Sequence, residues 1–139
     1  MTTITSYSQS AIAETSAKII ALEKAALDKW NQGDPGGYID LSADDVVYFD
    51  PYLEQRLDGL QALKNYYEPI GGQINARYEM LNPKVQLTNE MAVLTFNLIS
   101  YEGDKVIRWN CTEVYRLERN EQWKIIQTHW SFIKPDLKK

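Results

Sequence analysis

A single cysteine, Cys111, and a single histidine, His129, stand in a chain of 139 residues. One cysteine excludes an intrachain disulfide framework and a CxxC redox pair. With only one histidine beside it, no Cys/His zinc cluster can form, and any Ser-His-Asp triad would have to use His129. An excess of basic charge is also missing. Fifteen Lys and Arg against 19 Asp and Glu leave a formal charge of −4. A nucleic-acid or anionic-membrane binder needs a basic stripe, so neither partner is expected. Long hydrophobic runs are absent too. The longest, Ala92 to Ile99, is broken by Thr95 and Asn97 and falls far short of the ~20 residues that span a bilayer. The first residues, Met1 to Ser10, are polar and lack the basic start and apolar centre of a secretory signal. A cytoplasmic location is the expectation.

What the chain does have is apolar content of 44%, enough for one packed core. One domain over residues 1–139 is expected, with residues 1–8 as a flexible tail. Ile12, Ile19, Ile20, Leu27 and Trp30 recur at helical spacing. They predict an amphipathic helix from about Gln9 to Gln32, with Lys18, Glu23, Lys24 and Lys29 on its wet side. The cluster Gly33-Asp34-Pro35-Gly36-Gly37 stops it. A short helix, about Gly37 to Ser42, and a strand, Val46 to Asp50, follow. Asp58 is positioned to cap a third helix, Gly59 to Ile70. From there the chain is β-branched and aromatic. Strands are predicted at Ala76–Leu87, Ala92–Tyr101, Val106–Leu117 and Trp123–Ile133, separated by short turns. Pro83 predicts a bulge or an edge in the first of these. Helices followed by a meander make an α+β fold: a strongly curved, cone-shaped, mostly antiparallel sheet wrapped around three N-terminal helices.

Parity assigns the sheet faces. Ala92, Leu94, Phe96 and Leu98 mark the inner face. With two-residue turns at Gly103-Asp104 and Asn120-Glu121, they align with Tyr115, Glu113, Cys111 and Trp109, and then with Ile126, Thr128, Trp130 and Phe132. Glu113 on this apolar face has a raised pKa if buried. The outer face mixes Arg108, Asn110, Thr112 and His129 with Val93, Ile99, Val106, Val114, Ile125 and Ile133. That is too apolar for plain solvation and predicts a homodimer or higher homo-oligomer.

Gly33-Asp34, Tyr38, the run Ala43-Asp44-Asp45-Val46-Val47-Tyr48-Phe49-Asp50-Pro51, Gly59, Ala62 and Tyr66-Tyr67 resemble the nuclear transport factor 2-like superfamily. The pattern is nearest its SnoaL-like and ketosteroid isomerase-like branch. Gly33-Asp34, Phe49-Asp50-Pro51, Asp58-Gly59, Leu81-Asn82-Pro83 and Trp123…His129…Ser131 are also similar to the association domain of calcium/calmodulin-dependent protein kinase II. Both resemblances cover about Thr15 to Ile133. The isomerase resemblance places the general base on Asp50, a protonated oxyanion donor on Glu113, a pocket tyrosine on Tyr67 and a pocket tryptophan on Trp130. Its main oxyanion-hole tyrosine falls on Ala26. Two cavity arginines of the kinase domain fall on Val114 and Trp130.

Four tryptophans and nine tyrosines are a large aromatic content for one domain. The catalytic set that the isomerase resemblance implies is Asp50, Glu113 and Tyr67, and the expected pocket is walled by Trp30, Tyr48, Phe96, Trp109, Thr128 and Trp130. The expected ligand is small and apolar or aromatic, with no metal or organic cofactor. Three functions fit: a cofactor-independent isomerase or cyclase, a non-catalytic binding module, and an oligomeric association domain.

Overall fold

Ser8 opens the first helix in the computed structural model, which describes residues 8–134. Its hydroxyl accepts from the Ala11 N–H at 3.1 Å, satisfying one of the orphan donors of a helix start. The rest of the expected tail lies outside the described residues. Helix α1 runs Gln9–Asn31, α2 Gly36–Leu41 and α3 Leu60–Tyr67, with a single 3-10 turn at Glu68–Ile70. The strands are β1 (Ser42–Phe49), β2 (Leu57–Asp58), β3 (Arg77–Leu87), β4 (Met91–Glu102), β5 (Lys105–Leu117) and β6 (Trp123–Phe132). They form one sheet in the order β2-β1-β6-β5-β4-β3. Among the described residues only the β1–β6 pair is parallel. The fold is α+β, with a curved, mostly antiparallel sheet packed on the N-terminal helices.

The core lies between α1, α3 and the inner sheet face. Ile19, Leu27, Leu63, Leu94, Tyr115 and Ile125 are essentially inaccessible there. Pairing of β4 with β5 is in register throughout, from Met91–Arg116 to Glu102–Lys105 across Gly103-Asp104. Gly103 takes φ +62 in that turn, a conformation glycine adopts without penalty.

Three expectations need correction. The β5–β6 loop is not a two-residue turn. Glu118 N–H bonds the Gln122 carbonyl at 2.8 Å, and Glu121 takes φ +63 in a three-residue loop. That loop alone would flip β6. A bulge between the Val114–Gln127 and Tyr115–Ile125 pairs restores the register. Ile126 is the extra residue, so Ile125 moves from the outer face into the core and Ile126 leaves it. Second, Asp58 does not cap α3. Gly59 holds the cap position without a side-chain bond, while Asp58 sits in β2 and pairs with Arg56 at 2.6 Å. Third, Glu23 is not on the wet side of α1: it is fully buried. At Pro83 both alternatives occur together, because β3 is the sheet edge and its register shifts between Leu81 and Lys84.

Candidate functional site

Between α1, α3 and the open end of the sheet lies a cavity of about 280 Å³. This is near the lower end of the roughly 300–1,000 Å³ typical of ligand pockets. Asp50, Tyr67, Trp30, Tyr48, Trp109 and Trp130 line it. Glu113, Phe96 and Thr128 do not. They are buried on the same sheet face but deeper along the strands. The expectation that Asp50 and Glu113 share one cavity wall is therefore corrected. Parity assigns the face, but α1 covers the end of the sheet where Glu113 sits. Tyr38, Tyr52, Tyr66 and Glu102 also line the cavity; composition and parity did not single them out, although Tyr38 and Tyr66 belong to the motif quoted above.

Asp50 follows β1 and keeps its inward parity, two residues beyond Tyr48. Its Oδ2 accepts from the hydroxyls of Tyr48 at 2.9 Å and Tyr66 at 2.7 Å. Its Oδ1 accepts from the Tyr52 N–H at 2.8 Å, the turn bond that Pro51 sets up. Burial, and the carboxylate beside them, push the phenols of Tyr48 and Tyr66 well above their usual range, so both remain protonated donors. Trp30 meets Tyr67 edge-on at 4.7 Å between ring centres, and Tyr67 meets Tyr48 at 5.4 Å. Across the cavity Trp109 packs on Trp130 at 5.7 Å, its indole N–H bonded to Ser100 Oγ at 3.2 Å. The exposed ring of Tyr52 stands near this group, 6.4 Å from Trp109.

Below the cavity is a second, sealed cluster. Glu23 accepts from Tyr38 Oη at 2.5 Å and from Tyr115 Oη at 2.6 Å. Glu113 faces Glu23 and Thr128, but neither of its oxygens has a partner in good hydrogen-bond geometry. Burial first, then the neighbouring Glu23, raise the Glu113 pKa well above the carboxylate range. Burial also raises that of Glu23, opposed by the protonated Glu113 beside it and by the hydroxyls of Tyr115 and Tyr38 that it accepts from. The donors favour charge on Glu23 and leave the proton on Glu113.

This has a measurable consequence. Unfolded Glu113 titrates near 4.5, and folded Glu113 binds its proton more tightly. Between those two values the native state holds more protons than the unfolded state, so stability falls as pH rises. Glu113→Gln removes that titration. Urea unfolding across pH 5 to 9 should show a flatter profile for the variant, with its advantage over wild type growing toward high pH by up to ~1.4 kcal/mol per pH unit. Parallel profiles would contradict the assignment.

The remaining singled-out residues fall elsewhere. His129 is on the outer face, stacked near Phe49 at 5.0 Å. Cys111 is a buried free thiol whose pKa burial pushes well up, which makes it a poor nucleophile. No group of three or more His, Cys, Asp or Glu placed to hold a metal occurs among the described residues. No helix among them is long and apolar enough to cross a membrane.

A family model, the calcium/calmodulin dependent protein kinase II association domain, matches residues 15–133. The chain belongs to this association-domain family. Among solved structures, a Parabacteroides distasonis protein provisionally named a ketosteroid isomerase is 52% identical. That match covers 84% of this chain and 86% of the other, with a TM-score of 0.76. A Pseudomonas putida NTF2-like protein of unknown function is 24% identical, covering 91% and 98%, with a TM-score of 0.79. The association domain of the Caenorhabditis elegans kinase is 18% identical, covering 86% and 96%, with a TM-score of 0.74. The last two are likenesses of fold. A search of curated proteins finds no match. Association-domain membership and the isomerase-like relative agree with a nuclear transport factor 2-like fold, which carries assembly, binding and catalysis alike.

Proposed function

We propose that this association-domain protein is a small-molecule-binding module that works as a homodimer or higher homo-oligomer. The observation that carries the reading is the 280 Å³ cavity, where the carboxylate of Asp50 is held by three donors among aromatic walls. A ligand with a small apolar or aromatic body fits that lining. The assembly part rests on the outer sheet face. No helix among the described residues covers it, and Val93, Thr95, Ile99 and Val114 stand half-buried there. A ladder of Asn97, Asn110 and Ser131 side chains runs through it, with Asn97 donating to Asn110 at 2.8 Å. Such a patch suits a polar-seamed contact between identical copies. Fragment screening by ligand-observed NMR tests the binding part. Aromatic fragments should bind, and Ala76→Trp, which fills the cavity from its wall, should abolish most hits. Hits that survive the filled cavity would refute the reading.

A proton-transfer enzyme is the second reading, favoured by the isomerase-like relative at 52% identity. In it Asp50 removes a proton α to a substrate carbonyl, and a cavity hydroxyl such as that of Tyr67 donates to the developing oxyanion. Glu113 lies too deep to touch the substrate. Asp50→Asn would then abolish turnover of an enolisable ketone while leaving its binding measurable.

A further inference from the structure

The charge of the cavity wall narrows the ligand class, given that the cavity is a ligand site as proposed above. Two carboxylates line it, Asp50 and Glu102, and no Lys, Arg or His does so among the described residues. Eight aromatic side chains, three of them indoles, make up much of the remaining wall. The floor adds to the same sign. Tyr38 is a wall residue, and its hydroxyl donates to the buried Glu23 behind it. We propose that the cavity is a site for a small organic ammonium ion carrying an apolar body.

The chemistry of Asp50 supports this. A carboxylate has about four acceptor sites. Tyr48 and Tyr66 take both on Oδ2 and the Tyr52 N–H takes one on Oδ1, so Oδ1 keeps a lone pair for the ligand. Asp50 also joins the two ring groups. It is bonded to Tyr48 and Tyr66 on one side and to the backbone of Tyr52, beside Trp109, on the other. A cation near Asp50 therefore meets both a carboxylate and aromatic faces, the arrangement that binds ammonium groups when water is excluded. An anion of the same shape meets no donor of positive charge and at least one unneutralised carboxylate.

Three molecules of nearly equal shape separate the possibilities: choline, its neutral isostere 3,3-dimethylbutan-1-ol, and the anion 3,3-dimethylbutanoate. Calorimetric titration of the full chain should give choline at least about tenfold tighter than the alcohol, with the anion weakest. Asp50→Asn should cut choline affinity by about tenfold or more, and the alcohol's by clearly less, so that the preference for the cation collapses. Glu102→Gln, on an exposed side chain at the rim that is no threat to folding, should weaken choline by about two- to threefold. This smaller effect should fade with added salt. Equal affinities for choline and alcohol, or preference for the anion, would overturn the cation assignment. If none of the three binds while neutral aromatic fragments do, the cation assignment falls and the binding-module reading stands. If nothing of any charge binds, both fall.

Discussion

Glu23→Ala should destabilise the domain by about 3–5 kcal/mol, measured by urea unfolding at neutral pH. The side chain is completely inaccessible and is the shared acceptor for the hydroxyls of Tyr38 and Tyr115. Alanine leaves both hydroxyls buried without an acceptor, at about 1–3 kcal/mol each, and leaves a void beside them. One term runs the other way: Glu113 loses the carboxylate that opposes its ionisation. That relief is small at neutral pH, where the proton already sits on Glu113. Glu23→Gln keeps a carbonyl acceptor and should recover more than half of the loss. An alanine variant within about 1 kcal/mol of wild type would show that the tyrosine–glutamate cluster contributes no net stability.

The second large effect concerns assembly. Val114 pairs with Val93 and Gln127 near the middle of the outer sheet face. Lysine there should break a homo-oligomer into monomers, because symmetry brings the new charges together in pairs. Like-charge juxtaposition in an interface costs several kcal/mol, so the dissociation constant should rise by at least about a hundredfold. The fold should survive, since the position faces away from the helices. Light scattering should report the wild type as a dimer or larger assembly and Val114→Lys as a monomer with an unchanged circular dichroism spectrum. A wild-type monomer that persists at high protein concentration would contradict the assembly reading.

Much of the fold was legible because several local signals agree with one another. The inner face of β4, read from Ala92, Leu94, Phe96 and Leu98, aligns with the predicted residues of β5. Ile125 and Ile126 show where that legibility stops. Two adjacent β-branched residues satisfy either parity, and only the loop length and the bulge decide which is buried. The candidate site was less legible than the fold. Parity placed Glu113, Phe96 and Thr128 on the same face as Trp109 and Trp130, but depth along a strand depends on which helix lies over it. Glu23 carried a signal that its charge masked. It is four residues from Ile19 and from Leu27, on the buried stripe of α1. A glutamate on such a stripe announces a buried acceptor, and its donors, Tyr38 and Tyr115, lie 15 and 92 residues away in sequence. No local pattern joins them.

The cavity itself can be interrogated through its tryptophans. Trp30, Trp109 and Trp130 line it, while Trp123 is buried elsewhere and serves as an internal control. Protein-observed NMR of the four indole N–H resonances during titration with an aromatic ammonium such as benzyltrimethylammonium tests the central claim most directly. Trp30, Trp109 and Trp130 should shift together along one saturating curve, Trp123 should stay still, and Asp50→Asn should weaken the curve. Shifts confined to Trp123, or spread without saturation, would contradict a ligand site built around Asp50.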